Sequence, residues 1–354
     1  DWLRLKFPET AFYQINSTIG GTASDLGVFR MGQDVLQDDP DLLFDDYALN
    51  DHDEQLSKAR IIRSVEGIVR KTWASFPNAD ICFIYTTSES ICKSLISGVP
   101  NYAIEAMEEV ASYYGIPSVN LSIRIARLYT AGKLLLSGDP VDNNHIIVFT
   151  KDHTHPLPES GHPLYGSVVV RYLKEMAMGP KNGKAHLPGR PLDKDNWQAA
   201  KMVNIGSTRL EGDWKKLPAD DGLSRDFGKF MPEIYKGSPG TIMRFRYKGT
   251  VLGFFDCIGP GTGSLDVFID GREQKVDRFD TYCTYYRKNY FILDSIPFGI
   301  HDVEIRVAKD SLDKSLILGR HVAQMGNPGN YVAMDWYPSQ LMILGNLIRD
   351  APPK

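Results

Sequence analysis

The chain has 354 residues, of which 42% are hydrophobic and 24% are charged, and its formal net charge is −4. This composition is typical of a globular protein, and the length favours about two domains. No basic cluster is present to displace counterions from phosphates, so we expect no nucleic-acid partner and no attraction to an anionic membrane surface. No apolar run approaches the ~20 residues that a membrane-spanning helix needs.

The first residues, DWLRLKF, resemble the last turns of an amphipathic helix, with Trp2, Leu3 and Leu5 apolar and Arg4 and Lys6 between them. We therefore expect Asp1 to begin a fragment, a processed product or a shortened chain. Any targeting signal would then precede Asp1.

The first half of the chain alternates predicted strands with predicted helices. Helix periodicity is clearest within residues 54–75, and Gly115 and Pro117 indicate the end of a helix over residues 102–114. Such alternation predicts a mainly parallel sheet with helices on both faces. The predicted strands are residues 11–16, 41–47, 80–87, 118–121 and 145–150, and the other helices are residues 26–36 and 165–178.

A Gly-, Pro- and Lys-rich stretch predicts a linker at residues 181–195, between an α/β domain at 1–180 and a β-rich domain at 196–350. Beyond it, residues 241–255 predict two strands around Lys248-Gly249, and Asp270-Gly271 predicts a hairpin after residues 264–269. Further strands are expected at residues 289–293, 301–307 and 341–348. Many short strands with Gly-rich turns favour a β-sandwich.

Three short blocks, each after a predicted strand, carry residues suited to catalysis. Asp152 precedes His155 by three residues, so one loop presents a carboxylate able to orient an imidazole that takes a proton from a nucleophile. Asn50, in the block ALND, offers an amide to a developing oxyanion, and Gly21, in IGGT, offers a backbone N–H. Taken alone, each block is explained as simply by a turn, with a capping Asp or Asn and a solvated histidine.

Metal binding is an alternative for the third block, because His153, His155 and His162 lie near Asp152 and Glu159 in sequence. Pro156 makes that segment irregular, which disfavours a ligand pair on a strand. We therefore expect neither a metal nor a cofactor.

In order and placement, the three blocks resemble the SGNH (GDSL-like) hydrolase family. The resemblance covers residues 1–178 and implies a flavodoxin-like, three-layer α/β domain with a parallel sheet. It implies His155 and Asp152 as catalytic base and orienting acid, and Gly21 and Asn50 as oxyanion-hole donors. Ala48 departs from the family pattern, in which glycine is common.

The family's nucleophilic serine block is missing before Gly21. Ser17 and Ser24 lie nearby, but neither takes the nucleophile's place in the family pattern. We therefore expect the serine to lie upstream of Asp1, and the 354-residue chain to have little or no esterase activity.

The second half resembles the jelly-roll modules that accompany polysaccharide esterases, through its Gly-Thr turn, its Asp-Gly hairpin and the Gly-x-His before its last strands. Most of its aromatic residues are expected in the core, and the segment TYCTYYRKNYF is the best candidate for an exposed, sugar-stacking surface. Cys257 and Cys283 are expected to be free and buried, although an oxidising compartment leaves a disulfide open. The aromatic residues weighed for stacking are Trp214, Phe254, Phe255, Tyr282, Tyr285 and Tyr286.

Two functional hypotheses follow. The first is a serine esterase that removes acetyl groups from an acylated carbohydrate; the family analogy implies a secreted, periplasmic or cell-surface location. The second is a non-catalytic carbohydrate-binding or surface protein with a degenerate hydrolase domain. The coding sequence upstream of Asp1 discriminates between them.

Overall fold

The computed structural model describes residues 2–139, 146–177 and 185–348. It divides into two compact units, Asp1–Gln198 and Ala199–Lys354. None of the described helices is long and apolar enough to cross a membrane. The end of the predicted helix at 178, the first part of the predicted linker and the last residues of the β-rich domain lie outside the described residues.

The first unit is an α/β fold built on a parallel sheet of three strands in the order β1-β2-β3, with a separate parallel pair β4-β5. Its strands are β1 (Leu42–Asp45), β2 (Asp80–Tyr85), β3 (Ser118–Asn120), β4 (Leu134–Ser137) and β5 (Ile147–Thr150). Its helices are α1 (Trp2–Lys6), α2 (Ser24–Asp34), α3 (Ala48–Asp53), α4 (Lys58–Ser75), α5 (Glu89–Ile96), α6 (Tyr102–Tyr114), α7 (Ser122–Thr130) and α8 (Gly161–Ala177).

Helix α4 organises the core of this unit. The hydroxyl oxygen of Ser57 caps its first turn by accepting a hydrogen bond from the Arg60 N–H, and its apolar face is completely buried at Ile61, Val65 and Val69. These side chains pack with β2 and with α6 in one hydrophobic cluster. The apolar residues whose spacing predicts α4 therefore pack this helix against both the sheet and α6.

Residues 185–198 lie against α4. The buried carboxylate of Glu66 accepts hydrogen bonds from the backbone N–H groups of Leu192 and Asp193, at 2.6 and 2.8 Å. Gly67 allows the chain to approach closely, because an added Cβ would lie 2.8 Å from the Trp197 carbonyl carbon. The described part of the Gly- and Pro-rich stretch is therefore held against the first unit, and the boundary between the units falls after Gln198.

The second unit is a β-sandwich whose largest sheet has eight strands. Strand β10 is central: one of its edges pairs with β14 and then β13, and the other pairs with β7 and then β15. The strands are β6 (Ala200–Asn204), β7 (Arg209–Glu211), β8 (Trp214–Lys216), β9 (Tyr235–Gly237), β10 (Ile242–Ile258), β11 (Ser264–Ile269), β12 (Arg272–Asp277), β13 (Arg287–Leu293), β14 (Gly299–Val307) and β15 (Tyr337–Ile348). Short helices α9 (Gly222–Phe227) and α10 (Lys314–Leu318) complete it.

A buried polar network lies in the second unit. The Arg278 guanidinium donates to both carboxylate oxygens of Asp256, at 2.8 and 2.5 Å, and the Trp336 indole N–H donates to the same carboxylate at 2.8 Å. Asn289 accepts a further hydrogen bond from Arg278 at 2.8 Å. These partners compensate for the burial of both charges.

Two local predictions are wrong. Residues 11–16 form no strand, and Tyr13 in that segment is 88% exposed. Residues 242–255, predicted as two strands, lie in one long strand, because β10 continues through Gly249 with a bulge against β15 between Gly249 and Val251.

The expectation for the cysteines of the second unit is confirmed. Cys257 and Cys283 are buried and free, as are the other two cysteines of the chain.

Candidate active site

The loop that follows β5 brings Asp152 and His155 into contact. The Asp152 Oδ2 atom lies 2.6 Å from His155 Nδ1, and Oδ1 accepts hydrogen bonds from the backbone N–H groups of His155 and Thr154, at 2.8 and 3.0 Å. A bridge between Thr150 and Pro156 closes the base of this loop. The three-residue spacing seen in the sequence therefore places both side chains on one tight turn.

The contacts of Asp152 determine the charge and the tautomer of this pair. The His155 backbone N–H and then the His155 ring hold the pKa of Asp152 well below its usual range, so the carboxylate is charged at neutral pH. A charged acceptor at Nδ1 favours the tautomer with its proton on that atom, which leaves Nε2 as the basic atom of the ring. The His155 side chain is 82% exposed, so solvent and small molecules reach it.

Gly21 lies in the turn that leads into α2. Its φ of 67° is in the left-handed region, where glycine carries no steric penalty. The Thr22 hydroxyl donates to the Ile19 carbonyl at 2.8 Å and holds the turn, and a Cβ added at Gly21 would meet no atom within 4 Å. The turn is therefore rigid, with open space beside its glycine.

Asn50 lies in the first turn of α3, directly after the end of β1, and is half-buried. Its neighbour Asp51 is completely buried, and Asp51 Oδ1 accepts a hydrogen bond from the Ser24 N–H at 2.7 Å. That bond ties the first residue of α2 to α3. It therefore connects the segment that carries Gly21 with the helix that carries Asn50.

Acidic side chains that the sequence analysis did not single out also lie where β1 ends. Burial, together with the charges of Asp51 and Asp46, raises the pKa of Asp45 to about 8, and burial raises the pKa of Asp51 to about 7. One carboxylate oxygen of each buried side chain, Oδ2, has no hydrogen-bond partner among the described residues. The only signal in the sequence was the pair of acidic residues at the end of a predicted strand.

The structure brings two of the four predicted site residues, Asp152 and His155, into contact. Gly21 and Asn50 do not contact each other in this way, and their segments are linked through the bond between Ser24 and Asp51. Among the described residues, no hydrogen bond joins Asp152 or His155 to Gly21 or Asn50.

The two serines near Gly21 are engaged in other contacts. The Ser17 hydroxyl donates to the Asp34 carbonyl oxygen, and the Ser24 hydroxyl is buried beside that of Ser64, with the two oxygens 2.7 Å apart. A buried hydroxyl in such a contact is poorly placed to attack a substrate. Both serines therefore have structural roles in this fold.

Strand β1 is an edge strand with exposed apolar side chains. Among the described strands β1 pairs only with β2, and β3, at the other edge, also pairs only with β2. Leu42 and Phe44 on β1 are 39% and 41% exposed. Strands of parallel sheets are normally covered on both faces, so an exposed apolar face on β1 is unusual.

The described residues give the metal alternative no support, because they contain no group of three or more His, Cys, Asp or Glu side chains arranged to hold an ion. The ring of His153 contacts the Glu89 carboxylate and the ring of His155 contacts Asp152, at 2.7 and 2.6 Å. The two histidines thus have different carboxylate partners.

The aromatic residues weighed for sugar stacking separate into two groups. Phe254 and Phe255 are buried, Trp214 packs edge-on against Trp336, and the Tyr286 ring fills the space beside Gly259. Tyr282 and Tyr285 are exposed, at 50% and 60%. Only this second group offers ring faces to solvent.

Solved structures of other proteins share the fold of this chain. Two solved structures of a two-domain esterase active on acetylated mannans, one with mannopentaose, match with TM-scores of 0.70 and 0.72 at 18% identity. They cover 99% and 96% of this chain, and 84% and 82% of their own chains. A family two carbohydrate esterase from Cellvibrio japonicus matches 44% of this chain and 36% of its own at 16% identity, with a TM-score of only 0.27. No protein-family model matches, and neither does any curated protein.

At this identity the likeness establishes the fold and leaves the activity to the chemistry of the site. It confirms the expected fold: an α/β domain built on a parallel sheet, followed by a β-sandwich.

Proposed function

We propose that this chain is part of an SGNH-type serine esterase that removes acetyl groups from a polysaccharide. The observation that carries the proposal is the contact between Asp152 Oδ2 and His155 Nδ1 at 2.6 Å, on an exposed loop after a parallel strand. A charged carboxylate that orients an accessible imidazole is the acid–base part of a catalytic triad. The likeness in fold to a two-domain esterase adds support.

In the proposed mechanism a serine hydroxyl attacks the acetyl carbonyl carbon, and His155 Nε2 takes the hydroxyl proton. Asp152 stabilises the imidazolium that forms. The Gly21 N–H and the Asn50 side-chain amide donate to the oxyanion of the tetrahedral intermediate. His155 then gives its proton to the sugar oxygen as that group leaves, and later activates the water that hydrolyses the acetyl-serine.

We further propose that the nucleophilic serine precedes Asp1 in the full protein. The hydroxyls of Ser17 and Ser24 already have structural partners. The open edge of β1, with Leu42 and Phe44 exposed, fits a further strand of the sheet. A serine at the end of that strand would lie at the same edge as Asn50, because parallel strands end together.

An acetylated polysaccharide is the proposed substrate, by analogy with the mannan esterase that shares the fold. A secreted, periplasmic or cell-surface location, implied by the same analogy, forms part of the proposal.

The test measures acetate released from acetylated mannan by the protein with its natural upstream segment, by the 354-residue chain, and by three variants of the longer protein. We expect activity only in the longer protein, and its loss in His155→Ala and Asp152→Asn. His162→Ala is the matched control, because His162 is an exposed histidine outside the Asp-x-x-His motif. Full activity of His155→Ala would refute the assignment of the base.

A non-catalytic carbohydrate-binding role is the second candidate, and the exposed rings of Tyr282 and Tyr285 favour it. Affinity electrophoresis in deacetylated mannan separates the two. Retention that is lost in Tyr282→Ala/Tyr285→Ala, in a longer protein that releases no acetate, would favour the binding role.

A further inference from the structure

His153, which lies between the two residues of the proposed acid–base pair, has an unusual backbone conformation. Its φ is 70°, in the left-handed region that a residue with a Cβ rarely occupies. Its side chain is 71% exposed, so burial of the ring does not explain the conformation. Some other contact must hold this residue, because the conformation costs about 1–2 kcal/mol.

Glu89, the first residue of α5, contacts His153 on both its backbone and its side chain. The Glu89 N–H donates to the His153 carbonyl oxygen at 2.9 Å, and Glu89 Oε2 lies 2.7 Å from His153 Nδ1. Lys93, one turn further along α5, donates to the other carboxylate oxygen at 2.5 Å. Hydrogen bonds from Lys93 and His153 lower the pKa of Glu89, which keeps the carboxylate charged.

Helix α5 gives Glu89 a fixed base. Ser88 caps the helix by accepting a hydrogen bond from the Ile91 N–H, and Ile91 and Cys92 are buried. Cys92 packs with Ile125 of α7 in one hydrophobic cluster. A side chain at the start of this helix therefore has little freedom to follow a moving loop.

We propose that Glu89 is a positioning residue for the proposed esterase reaction: through His153 it holds the tip of the loop on which Asp152 and His155 meet. The inference rests on the proposed function of that pair. The Thr150–Pro156 bridge fixes the base of the loop, and Glu89 fixes its tip. Without the Glu89 side chain, only the backbone N–H of residue 89 still contacts His153, so we expect the left-handed residue to relax and the turn in which Asp152 accepts two backbone N–H groups to loosen.

The first test requires no activity. In the 354-residue chain, with histidine nitrogens labelled with ¹⁵N, NMR measures the tautomer of neutral His155. We expect the Nδ1–H form in the wild type, and in Glu89→Ala a roughly tenfold fall in the ratio of Nδ1–H to Nε2–H, as expected when one charge-assisted hydrogen bond is lost. Glu89→Gln keeps an acceptor for His153 and should retain most of the ratio.

Two further variants make this test specific. Lys93→Ala removes the other partner of Glu89 and should leave the His155 tautomer unchanged. His153→Ala removes the imidazole and keeps a Cβ at a φ of 70°, so it should lower the ratio as Glu89→Ala does, even if Glu89→Ala proves too unstable to study. An unchanged tautomer ratio in Glu89→Ala or in His153→Ala would overturn the proposal.

The second test uses the protein with its upstream segment. Glu89→Ala should lower kcat for acetate release roughly tenfold with KM unchanged, and Glu89→Gln should restore most of kcat. Combining Glu89→Ala with His153→Ala should cost no more than either change alone, since both break one contact. If the longer wild type is inactive the proposed function fails, whereas the tautomer measurement still decides the positioning role. A rise in KM with kcat unchanged would contradict that role.

Discussion

Replacement of Asp51 by asparagine should remove a pH dependence from the stability of the α/β unit. Burial raises the pKa of Asp51 from 3.8 to about 7 in the folded protein. Between these two values the folded state binds more protons than the unfolded state, so stability falls as pH rises from about 4 to about 7 and is level above that. An asparagine side chain has no proton to lose at this position, and its oxygen can still accept from the Ser24 N–H.

The size of the effect follows from the two pKa values. Asp51 loses its proton at lower pH in the unfolded state than in the folded state, and this difference lowers the free energy of unfolding. One pKa unit is worth about 1.4 kcal/mol, so the loss relative to low pH is about 2 kcal/mol at pH 5 and about 4 kcal/mol at pH 8. The difference in stability between Asp51→Asn and the wild type should therefore shift by about 3 kcal/mol in favour of the variant between these pH values. The charge of Asp51 helps to raise the pKa of Asp45, so in the variant Asp45 titrates closer to its ordinary value, which adds to the shift in the same direction.

Urea unfolding followed by hydrogen–deuterium pulse labelling of α4 (Lys58–Ser75) measures this difference for the α/β unit alone. Asp41→Asn is the matched control, because Asp41 is exposed just before β1 in the same unit, and it should not reproduce the shift in favour of the variant. A difference between Asp51→Asn and the wild type that stays constant from pH 5 to pH 8, or that turns against the variant, would refute the argument from burial.

Three further predictions concern stability. Asp256→Ala should destabilise the β-sandwich unit by about 3–5 kcal/mol in urea unfolding, because Arg278 would remain buried without its carboxylate; a loss under about 1 kcal/mol would contradict this. Burial of His301 opposes its charged form, but hydrogen bonds to Asp270 and to the Pro297 carbonyl outweigh burial and raise its pKa. The stabilisation that His301 gives the folded state is therefore present at low pH and is lost as pH rises through the folded pKa. His301→Gln should flatten that part of the profile of Tm against pH, and an unchanged slope would count against it. Gly67→Ala should lower Tm and expose residues 185–198 to protease, because the added methyl group would meet the Trp197 backbone; unaltered proteolysis would argue against that packing.

The sequence predicted the elements whose signals are local. The apolar period of α4, the Gly stop after α6 and the Asp-Gly turn between β11 and β12 each lie within a few residues, and each element formed close to its predicted bounds. The strand predicted at residues 11–16 does not form, because a strand needs a neighbour to pair with and none of the described strands pairs with these residues. Strand β10 was split in the prediction at a Lys-Gly pair that instead sits at a bulge.

In the candidate site, too, contacts within a few residues were predicted and contacts between distant segments were not. Asp152 and His155 are three residues apart, so a pattern within one loop predicted their contact. The bond from the Ser24 N–H to Asp51 spans 27 residues and the contact of His153 with Glu89 spans 64. Contacts across such separations depend on how helices pack around the sheet, which no local pattern reports. The contact within the loop was therefore predictable, whereas the groups that hold the loop in place were not.

Labelling with a fluorophosphonate, which reacts with activated serine hydroxyls, tests whether His155 activates a serine upstream of Asp1. The protein with its natural upstream segment is labelled, digested and mapped by mass spectrometry, beside its His155→Ala variant. We expect one adduct, on a serine that precedes Asp1, and its loss in His155→Ala. An adduct on a serine within the 354 residues would contradict the proposed place of the nucleophile, and labelling that persists in His155→Ala would contradict the role of the base.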